Sequence, residues 1–192
     1  MNSVQLHKRF VVVTGLPGSG KTTLARRLSP ALGLPVIDKD LILERLFALE
    51  GVGDAVWRRK LSRDSDEILK GEAIRSNGAI LVSFWRRPGM PEDSGTPTDW
   101  LSQLASSLVN VHCVCQPEIA AERFLSRRRH HGHLDMSRSP ADTMDSVRAI
   151  AALPLQPIGP RIDVDTSQEI NLELVLRQVN AEFDALRARR LY

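Results

Sequence analysis

Short apolar runs alternate along the chain with segments whose apolar residues recur three and four positions apart. Phe10-Val11-Val12-Val13 is the first run, and Pro35-Val36-Ile37, Gly78-Ala79-Ile80-Leu81-Val82-Ser83-Phe84, Val111–Cys115 and Arg161–Asp165 follow. Runs this brief and this continuous fit strands buried on both faces. Between them, Leu41–Leu49 and Trp57–Ile74 carry helical spacing, with Leu61, Ile68 and Leu69 on one side of the longer segment. The clearest amphipathic pattern is Asn171–Leu191, where Leu172, Val175, Leu176, Val179, Phe183 and Leu186 form one stripe. It reads as a core-facing helix. The alternation predicts a three-layer α/β fold, a parallel sheet with helices on both sides.

Pro88–Pro97 is a loop by composition, and its place after the third strand puts it at the C-terminal edge of the sheet, where open α/β folds bind ligands. His130–Pro140 is polar and basic, and Pro154–Pro160 reads as a stiff connection. No repeat or linker divides the 192 residues, so one domain over 1–192 is expected. The absence of a signal peptide, lipidation motif or long apolar span predicts no membrane association and a cytoplasmic location. Cys113 and Cys115 share one face of a strand, where a mutual disulfide is disfavoured; they read as core thiols of a reduced compartment. The net charge of +3 is concentrated in Arg123 and Arg127–His131, which suits an anionic ligand better than a general nucleic-acid coat.

Directly after the first strand stands Gly15-Leu16-Pro17-Gly18-Ser19-Gly20-Lys21-Thr22, the pattern G-x-x-x-x-G-K-[ST] between a strand and a helix. Backbone N–H groups of such a turn cradle a β-phosphate, the lysine reaches the β/γ oxygens, and the threonine hydroxyl ligates Mg²⁺. Gly15, Pro17, Gly18, Ser19, Gly20, Lys21, Thr22 and Thr23 are therefore the expected nucleotide-binding set. Asp38-Lys39-Asp40 follows the second strand. Transfer of a phosphoryl group to a hydroxyl needs a carboxylate to orient the nucleophile and take its proton. Asp40 is the expected base, and Asp38 is expected to hold Mg²⁺ waters or act in its place. Both also fit a helix N-cap.

Phe10–Leu28 and Val36–Leu46 together resemble the P-loop kinases of the nucleoside-monophosphate-kinase-like group. The nearest likeness is to its branch of zeta-toxin-like, chloramphenicol-phosphotransferase-like and polynucleotide 5′-hydroxyl kinase proteins. The resemblance implies a five-stranded parallel sheet, a mobile lid, Mg-ATP as donor and a hydroxyl acceptor. The expected strand order is 2-3-1-4-5, with the lid over about 123–140. In such kinases an Arg-x-x-x-Arg pair opens the lid, one arginine packing on adenine and the other reaching the phosphates. Arg123 and Arg127, spaced to share a helical face, match it. A basic helix C-terminus explains the same pair.

The resemblance also implies that the Asp165-Thr166-Ser167-Gln168 loop packs on adenine, Thr166 included, while a cap for the last helix is equally compatible. Where relatives often carry an acid near the end of the third strand, this chain has Ser83, so more of the Mg²⁺ shell falls to Asp38 or Asp40. Arg86 and His133 are candidates to touch the acceptor, and Trp85 and Trp100 either wall the acceptor pocket or, the favoured reading, are ordinary packing. The expectation is transfer of the γ-phosphoryl of ATP to a hydroxyl of a small molecule by a monomer or weak dimer. Lys21 and Arg127 would neutralise charge on the transferring group. Two rivals are a polynucleotide 5′-hydroxyl kinase and a non-catalytic ATP sensor. With aromatics at 5% of residues, stacking platforms for a single strand are scarce.

Overall fold

The computed structural model describes residues 8–104, 107–134 and 139–189. Strand β1 (Arg9–Gly15) is central, flanked by β3 (Gly78–Val82) and β4 (Ser107–Val114), with β2 (Val36–Asp38) and β5 (Arg161–Asp165) at the edges. Neighbours pair in parallel throughout, and the order is β2-β3-β1-β4-β5, as expected. The β1 run is apolar at successive positions because both faces are covered. Val11 and Val13 meet Leu24 and Leu28 of α1 (Lys21–Leu32) and Val179 and Phe183 of α6 (Leu172–Ala188). Phe10 and Val12 face the other layer, with Ile42 of α2 (Lys39–Glu50) and Leu69 and Ala73 of α3 (Ala55–Arg75). Burying each large apolar side chain stabilises the fold by about 1.5–3 kcal/mol.

Three boundaries differ from the pattern-based expectation. Strand β4 begins four residues before Val111, pairing with β1 from Ser107 to Cys113. Asn110 interrupts the apolar run there, and its cost is offset by a buried hydrogen bond from Thr14 Oγ1 to Asn110 Oδ1 at 2.8 Å. A helix, α5 (Pro140–Ala151), follows the basic stretch, with Ser139 Oγ accepting from the Asp142 N–H and Pro140 in its first turn. It packs Val147 against Ala120 and Ala121 of α4 (Pro117–Ser126). The last helix is capped by Asn171, whose side chain accepts from the Leu174 N–H at 3.0 Å, so Asp165–Gln168 is not its cap. Leu191 of the expected last helix and residues 135–138 of the expected lid lie outside the described residues.

Beyond β3 the chain makes an excursion closed by the Trp85–Thr96 bridge, with Arg86 N–H donating to Thr96 O and Thr96 N–H to Phe84 O. Trp85 and Trp100 are buried beside it, their ring centroids 6.3 Å apart, and Trp85 Nε1 donates to Val13 O. They pack in the core, and neither lines the cleft described below. Among the described residues no helix is long and apolar enough to cross a membrane.

Candidate active site

Strand β1 runs into a turn whose glycines are required by both conformation and space. Gly18 has φ 79°, and a Cβ there would stand 2.0 Å from Ala120 O of α4. At Gly15 it would stand 2.6 Å from Ser19 Oγ and 2.8 Å from Cys113 O. Gly20, left-handed at φ 85°, is the N-cap of α1, so the helix's unpaired N–H groups open onto the turn. Lys21 arches back over it, Nζ donating to Leu16 O at 2.7 Å and Gly15 O at 3.2 Å. Burial lowers the Lys21 pKa to about 8, against the opposing pull of Asp40 and Asp38.

At the mouth of the turn, Thr22 Oγ1 donates to Asp38 Oδ2 at 2.8 Å. Asp38 Oδ1 accepts the Asp40 N–H at 3.0 Å, which caps α2. One oxygen of this aspartate therefore caps the helix, and the other accepts the Thr22 hydroxyl. Burial, and then the neighbouring Asp40, push the Asp38 carboxyl above its ordinary range. Asp40 behaves oppositely. Enclosure in the cleft raises it, but Arg129, His133, Arg127 and Lys21 outweigh that and hold it below the ordinary range. Its carboxylate pairs with Arg129 at 2.5 Å, yet half of the side chain stays open to the cleft. Asp40 is ionised at neutral pH.

The cleft beside these groups encloses about 1040 Å³. Pro17, Gly18, Gly20, Lys21, Thr22 and Thr23 form one wall, with Asp38 and Asp40 next to them. Arg123, Arg127, Thr166 and Arg86 also line it. Gly15 and the fully buried Ser19 stand behind that wall and shape it. Arg123 Nη1 donates to Thr166 O at 2.8 Å, and Thr166 Oγ1 to Val114 O, so the expected adenine-side pair is one connected unit. Arg127 is the C-cap of α4 rather than a residue of its face, and its guanidinium lies 4.6 Å from the centre of the Phe124 ring. Arg86 donates to Ser94 O and Glu92 O and so braces the loop it starts.

His133 is placed differently from the expectation. It is 3% exposed, pairs through Nε2 with Glu44 Oε1 at 3.0 Å, and meets the Phe47 ring edge-on. It ties its segment to α2 instead of forming the cleft wall. The rest of the lining, for which sequence reasoning named no individual residue, comes from α3 (Arg58, Arg63, Asp66) and from Thr143, Ser146 and Ile150 of α5. A glycine cradle that admits no Cβ, a lysine over it and a hydroxyl–carboxylate pair at its mouth fit a nucleoside triphosphate with Mg²⁺, a cation that prefers oxygen ligands.

Residues 11–145, from β1 into α5, match the AAA domain family. The chain belongs to this family. A shikimate kinase of Mycobacterium ulcerans is 26% identical to the AAA-domain chain over 183 residues, spanning 90% of this chain and 88% of that one. A shikimate kinase of Corynebacterium glutamicum is 35% identical over 74 residues, 38% of this chain and less than half of that relative. A solved protein of Chloroflexus aurantiacus whose kinase activity is itself an assignment superposes with a TM-score of 0.75 at 30% identity, covering 92% and 98% of the two chains. The shikimate kinase of Acinetobacter baumannii, solved with shikimate, has the same fold at a TM-score of 0.58 and 16% identity. The AAA-domain protein is a P-loop kinase: it transfers the γ-phosphoryl group of ATP, with Mg²⁺, to a hydroxyl of a small molecule. These relatives favour that activity over a polynucleotide kinase or a nucleotide sensor.

Proposed function

We propose that this kinase binds its acceptor between α2, α3 and the loop after β3, and that Asp40 orients the reacting hydroxyl and takes its proton. The observation that carries this reading is Asp40 itself: an ionised carboxylate on the cleft wall, two residues beyond Asp38 of the Thr22–Asp38 pair and within the field of Lys21 and Arg127. Thr22 and the waters that Asp38 can accept from would hold Mg²⁺, which neutralises phosphate charge. Lys21 and Arg127 stabilise charge on the transferring group, and Arg123 with Thr166 holds the nucleotide base. Segment 123–140 serves as the lid of a single domain spanning 1–192, with Arg129 on Asp40 and His133 on Glu44 as its anchors to α2.

The acceptor is polar and hydroxylated, as the name of the shikimate kinase relatives suggests and as a wall of arginines and carboxylates favours. Gly15–Thr22 and Asp38-Lys39-Asp40 support placing the chain in the small-kinase branch that includes the zeta-toxin-like and chloramphenicol-phosphotransferase-like proteins. We place it in the cytoplasm, as a monomer or weak dimer. Asp40→Asn keeps the shape of the side chain and removes its charge. Nucleotide binding, measured by calorimetry, should survive, while phosphoryl transfer should fall by at least about 10²-fold. A comparable loss in Asp38→Asn with Asp40→Asn nearly silent would move the base by two residues. Full activity in both overturns the assignment.

A further inference from the structure

Four polar side chains form a connected path on the acceptor side of the cleft. Lys39, between Asp38 and Asp40 in the first turn of α2, pairs with Asp66 Oδ1 of α3 at 2.6 Å. Thr96 Oγ1 also lies 2.7 Å from Asp66 Oδ1, and Ser83 Oγ lies 2.5 Å from Thr96 Oγ1. An ionised aspartate can only accept, so Thr96 spends its one proton on Asp66. Ser83 must then donate to Thr96. Thr96 is wholly buried, and the Lys39 and Asp66 side chains are 11% and 15% exposed. Ser83 and Asp66 nevertheless line the cleft.

The consequence is a carboxylate held from behind. Both contacts fall on Asp66 Oδ1, which leaves the second oxygen of this cleft-lining carboxylate to accept from a ligand, and turning the group would break both contacts. Ser83, having committed its proton inward, can likewise only accept from a ligand. Two acceptors fixed in one wall select a donor-rich partner, and the reacting hydroxyl is already assigned to Asp40. We propose that Asp66 is a specificity-determining residue that accepts a hydrogen bond from a second hydroxyl of the acceptor, making the substrate class a polyol or polyhydroxylated acid rather than a simple alcohol. The inference rests on the kinase reading of the same cleft. A lysine–aspartate pair that merely clamps α2 to α3 would leave acceptor recognition indifferent to that second hydroxyl.

The test begins with the wild-type chain, Mg²⁺, ATP labelled in its γ-phosphate and a small-molecule extract of bacterial cells, with the labelled product identified by mass spectrometry. Absence of any labelled product overturns the kinase reading, and this proposal with it. A product that had a single hydroxyl before phosphorylation overturns this proposal alone. For a polyhydroxylated acceptor, each non-reacting hydroxyl is removed in turn and the analogues are compared on the wild-type enzyme. One removal should raise KM by about tenfold to a hundredfold, the range for a hydrogen bond to a charged group, with kcat changed far less. Asp66→Asn should raise KM for the parent acceptor similarly and add little for that deoxy analogue. If Asp66→Asn does not fold, Thr96→Val, which lets the carboxylate turn, should show the same selective loss. Equal KM values for the parent and all its deoxy analogues, or a variant that penalises parent and analogues alike, overturn the assignment.

Discussion

Lys21 couples nucleotide affinity to pH in a direction opposite to its effect on stability. Burial lowers its pKa to about 8 in the free protein, against 10.5 in an exposed lysine. The unfolded chain therefore binds more protons at this site than the folded one across that interval. Its desolvation cost is present in full below about pH 8 and is relieved as pH rises toward 10.5, so the free protein gains stability there. Nucleotide affinity should move the other way, because the phosphates attract only the ammonium form. Above about pH 8 the affinity for Mg-ADP should fall roughly tenfold per pH unit. A bound phosphate returns the lysine to the charged state, so at pH 8.5 binding should take up about three-quarters of a proton. Calorimetry in two buffers of different ionisation enthalpy reads that uptake directly. Lys21→Ala should bind more weakly, with neither the slope nor the uptake. An affinity that stays flat from pH 7 to 9.5 in the wild type, or a slope that persists in Lys21→Ala, refutes the placement of Lys21 over the phosphates.

Gly18→Ala would force a Cβ to within 2.0 Å of the Ala120 carbonyl at a backbone φ of 79°, so urea unfolding should show a loss of at least about 2 kcal/mol together with loss of nucleotide binding. An unchanged midpoint would contradict the contact between the turn and α4. His112, held neutral because burial and then Arg87 lower its pKa to about 4, should make the protein acid-labile. Its unfolded form takes up a proton near pH 6.5 and its folded form only near 4, so stability should fall by about 2–3 kcal/mol between pH 7 and 4.5. His112→Asn should flatten that part of the curve, and a wild-type curve that is already flat rules the buried imidazole out as its cause.

The sheet and the phosphate-binding turn were legible because their signals are local. Phe10–Val13 is apolar at every position because both faces are buried, and the spacing of Gly15, Gly18, Gly20 and Lys21 is dictated by a turn that must close on a phosphate. Helix α5 left a weaker trace, although Ser139-Pro140-Ala141-Asp142 carries the cap and first-turn proline of a helix start; the polar run before it masked the change of period. The individual residues that α3 gives to the cleft were not legible. Arg58, Arg63 and Asp66 look in sequence like the solvated face of an amphipathic helix, and only the packing of α3 on the sheet turns that face into the cleft. His133 shows the converse limit, since its basic surroundings suggested a ligand contact while its partner, Glu44, lies 89 residues away.

Phosphoryl transfer to a small hydroxylated acceptor through this cleft has a direct spectroscopic signature. ³¹P NMR of the protein with Mg-ATP and a small-molecule cell extract tests it most directly. A phosphomonoester resonance should grow as the ATP γ signal is lost, and it should be absent with Lys21→Ala and at least about a hundredfold slower with Asp40→Asn. ATP that stays intact throughout, or that yields inorganic phosphate alone, would contradict it.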